Sequence, residues 1–190
     1  SVTKAAVFQV LGAAWSWLFL IGLLIFFEVW SQASYGVSFV WNSHNVRSIT
    51  LFAAIPLTLA LGQTFVIISA GIDLSVGFTM GLASAVLAVT MQIAGVEGST
   101  PGLVLLVGLL AAIGASVVPG AVNGVLIAHM RVPPFIGTLG MYGIARGAAF
   151  LIAETPTVPI NNPWLFEIGN GKLWLIPIPV VITAVLVIAL

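Results

Sequence analysis

The chain has 190 residues, of which 61% are hydrophobic and 5% charged, and its mean hydropathy is +1.23. A soluble domain carries about 25% charged residues, so a surface this poor in charge excludes dispersal in water and makes lipid the solvent. Five basic and five acidic side chains cancel, which leaves no positive field to draw a nucleic acid. No cysteine is present, which excludes disulfides, thiolate metal sites and thiol catalysis.

A membrane-crossing helix needs roughly 20 apolar residues. The first candidate is Ala5 to Val29. Lys4 precedes it as in a signal peptide, but the run exceeds the ~7–15 residues of a signal core and no small-residue cleavage pattern follows. It reads as a true membrane helix. A polar stretch from Ser31 to Ser48, with Gln32, Asn42, His44, Asn45 and Arg47, separates it from the second candidate, Ile49 to Ala70. Gly71-Ile-Asp-Leu-Ser-Val-Gly77 interrupts the apolar run, and the third span is Val76 to Ala94. After a loop from Gly95 to Gly102, the fourth run extends from Leu103 to Met130. As one helix it would measure about 42 Å against a hydrocarbon core of ~30 Å, which predicts tilt, protrusion or a break near Pro119-Gly120. The prolines of Arg131-Val-Pro-Pro134 end it.

The fifth span is Phe135 to Ala153, followed by a long loop from Glu154 to Lys172. Within that loop, Asn162 to Gly169 predicts a short helix capped by Asn162, with Pro163 in its first turn and Gly169 at its exit. Its Trp164 and Phe166 suit a lipid–water interface. The sixth span begins near Leu173 and reaches Leu190 while still apolar, which reads as a fragment. The expected architecture is all-α: one polytopic transmembrane bundle of about six spans over residues 1–190. With Lys4 inside, alternation places Asp73 and Arg131 inside and Arg47, Glu97, Glu154, Glu167 and Lys172 outside. The basic residues that set topology are nearly balanced, and an N-terminus inside is favoured.

Several residues invite a functional reading. Gly77/Gly81, Gly120/Gly124 and Gly143/Gly147 each place two glycines one turn apart, as in close or movable helix packing. Asp73 lies at the interruption, where a charge in lipid must face water, protein or a partner. It marks a broken or re-entrant segment beside a pathway, or it simply caps the helix starting near Ser75, with Gly71 supplying backbone freedom. Arg146 lies well inside a span and cannot be neutralised. It must snorkel, bond to carbonyls or pair, with Asp73 and Glu154 as candidates, and it either braces helices or binds substrate. Gln63, Thr64, Asn123 and Thr138 either line a path for hydroxyl-rich solutes or bond between helices. His44 and His129 lack a second metal ligand at useful spacing. No Gly-x4-Gly-Lys-Ser/Thr loop for ATP phosphates occurs.

Two stretches carry a family resemblance: Leu61-Gly-Gln-Thr-Phe-Val-Ile-Ile-Ser-Ala-Gly-Ile-Asp-Leu-Ser-Val-Gly77, and Asn123-Gly-Val-Leu-Ile-Ala-His-Met-Arg-Val-Pro-Pro-Phe-Ile-Gly-Thr-Leu-Gly140 continuing to Ala145-Arg-Gly147. Both resemble the permease subunits of bacterial ABC importers for ribose, xylose, galactose and related sugars, as does the long loop ending in Ile176-Pro-Ile-Pro179. The resemblance implies a type II ABC-importer-like permease in the bacterial inner membrane, paired with a second permease as homo- or heterodimer. It implies a cytoplasmic ATP-binding subunit that holds the ATP and Mg, and a periplasmic sugar-binding protein. On that likeness the chain is not an enzyme and binds no cofactor or metal itself. It would stop before the family's ATPase-docking segment, which follows the sixth span on the cytoplasmic side and so favours the same orientation. Gln63, Thr64, Gly71, Asp73, Ser75, Gly77, Asn123, Thr138 and Arg146 become candidates for the translocation path or its helix break. Glu154, Trp164 and Glu167, in the long outer loop, become candidates for contact with the binding protein. Ala70 departs from the glycine common in members, with a small expected effect. An ion-coupled secondary transporter of a small polar solute is the alternative, but it would need a matching inverted repeat of the Asp73 break, and none is seen. A membrane enzyme would need clustered acids, histidines or an activated serine, which the isolated His44 and His129 do not supply.

Overall fold

A computed structural model of the chain describes residues 2–95, 99–154, 157–174 and 176–190, with side chains from residue 14 onward. Glu97 and the side chain of Lys4, both used in the orientation argument, lie outside the described residues. The elements are α1 (Val2–Tyr35), α2 (Ser43–Ile68), α3 (Val76–Ala94), α4 (Pro101–Ala128), α5 (Pro134–Ala153), α6 (Pro163–Asn170), the strands β1 (Lys172–Leu173) and β2 (Ile176–Pro177), and α7 (Ile178–Ala189). The helices α2 to α5, with Ala14–Tyr35 of α1, are long and apolar enough to cross a membrane, and α7 is a shorter apolar helix. The chain is therefore an all-α, polytopic membrane protein.

Three sequence expectations shift in detail. The polar stretch between the first two spans shrinks, because α1 continues to Tyr35 and α2 already begins at Ser43. The fourth helix is unbroken through Pro119; a proline costs one intrahelical hydrogen bond, and here Pro119 is buried in the helix packing. The sixth span does not start at Leu173. An antiparallel ribbon pairs Lys172 with Pro177 and Leu173 with Ile176, and α7 starts after Pro177 with Pro179 in its first turn, where a missing N–H is harmless.

The chain forms two compact units, Ser1–Phe52 and Ala53–Leu190, and α2 contributes to both. In the first unit the connection after α1 is organised by Glu28. Its Oε2 accepts hydrogen bonds from the backbone N–H of Phe39 (2.9 Å) and Val40 (2.8 Å) and from the Ser38 hydroxyl (3.0 Å). Its Oε1 accepts from Gln32 Nε2 at 2.6 Å, and Phe27 stacks on Phe39 at a centroid distance of 5.4 Å.

In the second unit α3 packs against α4 and α5. The buried centre is Met91, Val104 and Leu105, with Leu87, Ala94, Ile160 and Leu165 packed against it. Gly108 of α4 permits the close approach: a Cβ there would lie 2.5 Å from Met91 Cγ and 3.1 Å from Leu87 Cδ1. The three predicted glycine pairs do not act this way within the chain, since a Cβ at Gly77, Gly81, Gly120, Gly124, Gly143 or Gly147 meets nothing within 4 Å among the described residues. At the far end of the chain, the Thr58 and Thr183 hydroxyls lie 2.9 Å apart, and Thr183 also donates to Ala54 O at 3.3 Å, which ties α7 to α2.

The C-terminus of α2 closes with two reversed hydrogen bonds, Ala70 N to Ile67 O and Gly71 N to Val66 O, both 2.9 Å. This geometry puts the residue after the cap in the left-handed region, and that residue is Ala70, at φ 57°. Gly71 relieves crowding instead: a Cβ there would sit 3.1 Å from Val66 Cγ1 and 3.2 Å from Val66 O, both tight contacts. The departure at Ala70 therefore falls on the position where a side chain is most strained. Ala70→Gly is expected to stabilise the protein by up to about 1 kcal/mol, read as a higher thermal unfolding midpoint in detergent; an unchanged or lower midpoint would contradict the left-handed assignment.

Candidate functional site

The site is built on the non-helical segment between α2 and α3. Spanning helices satisfy their own backbone, but a turn between them leaves backbone groups over, and hydrocarbon supplies no partner. Here side chains do so. Gln63 of α2 reaches down its own helix and donates Nε2 to Asp73 O at 2.9 Å. Thr138 of α5 donates Oγ1 to Pro134 O at 2.8 Å, with Ile72 O as a second, longer acceptor at 3.3 Å. Asp73 Oδ1 accepts from Ser75 N at 2.7 Å and from Ser75 Oγ at 2.6 Å. Ser75 Oγ in turn accepts from Asn123 Nδ2 of α4 at 3.1 Å. The direction of the relay is fixed: the amide donates to the hydroxyl, and the hydroxyl donates to the carboxylate.

Ser75, Asn123 and Thr138 are 2%, 5% and 1% exposed, so three of the predicted path residues are packed between helices. One loose end remains. Asn123 Oδ1 is buried without a hydrogen-bond partner among the described residues. The expectation that Asp73 caps α3 changes in form: the cap residue is Ser75, whose hydroxyl makes no bond to the first turn, and Asp73 acts one step earlier by folding the turn onto Ser75.

The other candidates lie elsewhere. Thr64 bonds to Ala60 O of its own helix at 2.8 Å and is exposed. Gly77 lies in the first turn of α3. Arg146 pairs with neither Asp73 nor Glu154; its guanidinium carbon sits 5.5 Å from the Phe78 ring centroid and 5.9 Å from that of Phe150. Glu154 ends α5 in the left-handed conformation at φ 53°. Trp164 and Glu167 lie exposed on α6. Asn162 caps that helix as predicted, accepting from Trp164 N at 3.0 Å and Leu165 N at 3.1 Å, but the exit is at Gly171 rather than Gly169. Asn162 also donates to Pro101 O and Gln92 to Pro159 O, both at 2.9 Å. These bonds bring the C-terminal end of α3 and the start of α4 to the 159–163 segment around an open cleft of about 340 Å³.

Sequence reasoning missed Glu28, Thr58, Thr183 and Gln92. Glu28 offered a signal, a carboxylate one residue from the end of the first apolar run; the Thr58–Thr183 pair, 125 residues apart, offered none. Among the described residues no three His, Cys, Asp or Glu side chains gather as metal ligands do.

Long apolar helices around a turn fastened by polar side chains define a polytopic membrane bundle. A family profile described as the branched-chain amino acid transport system permease component matches residues 45–190, and the chain belongs to that family. It is 39% identical over 130 residues to the galactofuranose transporter permease protein of Escherichia coli, covering 68% of this chain and 36% of that protein. It is 35% identical over 176 residues to the ribose import permease protein of Escherichia coli, covering 90% and 51%. It is 34% identical over 157 residues to the xylose transport system permease protein of Haemophilus influenzae, covering 83% and 40%. The chain thus spans about half or less of the length of these relatives. No solved structure matches it.

Removing the acceptor at the turn is expected to cost stability before it changes specificity. Asp73→Asn keeps an oxygen facing Ser75 but loses the charge assistance, at about 1 kcal/mol; Asp73→Ala strands the Ser75 donors, at about 2 kcal/mol. Thermal unfolding and membrane yield should follow that order. Normal yield and midpoint with an altered solute preference would contradict a structural role for Asp73.

Proposed function

We propose that the chain forms part of the translocation path of an ATP-driven importer for a monosaccharide delivered by a periplasmic binding protein. The observation that carries this reading is the convergence of Gln63, Asn123 and Thr138, from three different helices, on the Ile72–Ser75 turn. It occurs in a chain similar along most of its length to a ribose import permease. A turn fastened at one end of several helices is where a bundle can transmit motion to its path. In this reading Gln63, Thr64, Gly71, Asp73, Ser75, Gly77, Asn123 and Thr138 belong to the path or to its break.

The chain is a transport subunit of the inner membrane. ATP and Mg belong to a cytoplasmic ATP-binding partner, and a second permease, identical or different, completes the path. The N-terminus is cytoplasmic. Alternation then places the Ile72–Ser75 turn on the cytoplasmic side and α6 on the periplasmic side, where Glu154, Trp164 and Glu167 meet the binding protein.

The test is uptake of labelled ribose, xylose and galactofuranose by proteoliposomes holding the complete permease, its ATP-binding subunit and the loaded binding protein. Uptake of one sugar is expected to require internal ATP and to survive a protonophore. Uptake that persists without ATP and collapses with the proton gradient would overturn the reading in favour of a secondary transporter. A photo-crosslinker at Trp164 is expected to capture the binding protein in the same vesicles; capture of lipid alone would remove α6 from that interface.

A further inference from the structure

Arg146 is the thirteenth residue of α5, which runs from Pro134 to Ala153. It stands about 18 Å along the axis from the helix start and about 10 Å from its end, deep in a segment read as membrane-spanning. Its side chain is exposed on the surface of this chain. Among the described residues no carboxylate and no hydrogen-bond acceptor pairs with it; it is flanked only by the rings of Phe78 and Phe150. Tyr142 extends the aromatic surface, edge to face with Phe78 at 4.4 Å between centroids.

A guanidinium stays charged in any protein environment, and acyl chains offer it nothing. Snorkelling is the usual escape, but helical side chains lean toward the helix N-terminus, which here is the more distant end. Exposing the face that carries Arg146 to lipid would therefore be costly. Helical spacing defines that face. Leu139, Gly143, Arg146 and Phe150 form one stripe at intervals of four, three and four residues, whereas the buried residues Gly137, Thr138, Met141 and Ala145 turn toward the core.

We infer that this stripe faces a water-filled pathway and that Arg146, with Phe78, Tyr142 and Phe150, forms a contact point for a hydroxyl-rich solute. The chemistry fits that class. The guanidinium presents several N–H donors and no acceptor, which suits hydroxyl oxygens, and the rings offer flat apolar surface for the C–H faces of a sugar. The absence of an acidic partner argues against a cationic solute, which Arg146 would repel. The inference rests on the permease reading and adds the residues that would touch the solute.

The chain contains no cysteine, so a single introduced thiol reports its own surroundings. In the complete permease, assembled with its ATP-binding subunit in vesicles, Leu139→Cys and Gly143→Cys are expected to react with a membrane-impermeant thiosulfonate. Ile144→Cys and Leu151→Cys, on the opposite exposed face, are expected to react at least tenfold more slowly. Arg146→Leu should lower maximal sugar uptake at least tenfold at saturating loaded binding protein, with partial rescue in Arg146→Lys and with the ATP-binding subunit still co-purifying. Equal inertness at all four cysteines would place the stripe against lipid or a partner protein and overturn the inference. So would normal uptake by Arg146→Leu, or loss of subunit co-purification in that variant together with inert thiols. The cysteine pattern is read without transport, so failure of wild-type uptake would count against the permease reading alone.

Discussion

Hydrocarbon offers no hydrogen bond, so each place where this chain leaves the helix must bring its own partners. Three of the described breaks use a carboxylate or amide side chain turned back onto the backbone, whereas the turn between α4 and α5 closes with backbone bonds, Met130 N to Val125 O and Val132 N to Leu126 O. Glu28 gathers the N–H groups of Phe39 and Val40, and Asn162 gathers those of Trp164 and Leu165. Asp73 gathers Ser75, and Gln63 supplies the donor for Asp73 O. The few polar side chains of a mostly apolar sequence are spent on these joints. The bundle of α3, α4 and α5 is then free to pack by small residues such as Gly108 and by the Met91–Val104–Leu105 centre.

The second break differs from the other two because it recruits other helices. Asn123 and Thr138 enter from α4 and α5, so the Ile72–Ser75 turn is a joint between spans and not only a link. Among the described residues the joint is incompletely satisfied, since Asn123 Oδ1 finds no partner there, and an unmade bond of this kind costs about 1–3 kcal/mol. A joint that ties several helices yet lies below its hydrogen-bonding capacity fits the transport role proposed above, in which helices would shift.

Much of this was legible in the sequence. Apolar length marked the five helices long enough to cross a membrane, because such a helix is recognised by composition over about 20 residues, but it did not mark the ribbon that shortens the sixth apolar run to α7. Asn162 and Pro163 marked a helix start and the tandem Pro133-Pro134 a helix end through their own backbone chemistry, and Pro134 also proves to open α5. Gln63, Asn123 and Thr138 stood out because amides and hydroxyls inside apolar runs are rare, but their common target did not, since hydrogen bonds across 48 and 66 positions leave no local pattern. The glycine pairs misled for the same reason. Spacing shows that two glycines share a face, not which surface covers that face, and among the described residues none comes within 4 Å of it. Glycine freedom was assigned to Gly71, whereas the left-handed residue is Ala70; only the reversed hydrogen bonds at the end of α2 locate it.

The central claim is that the Ile72–Ser75 turn is a hydrogen-bonded joint, anchored on the buried Ser75, between the helices of a membrane bundle. Hydrogen–deuterium exchange of the peptide covering residues 70–76, in the complete permease embedded in lipid nanodiscs, tests this most directly. Slow exchange in the wild type, accelerated strongly in Asn123→Ala and Asp73→Ala, is the predicted result. Exchange in the wild type at the rate of an unstructured peptide would contradict the account.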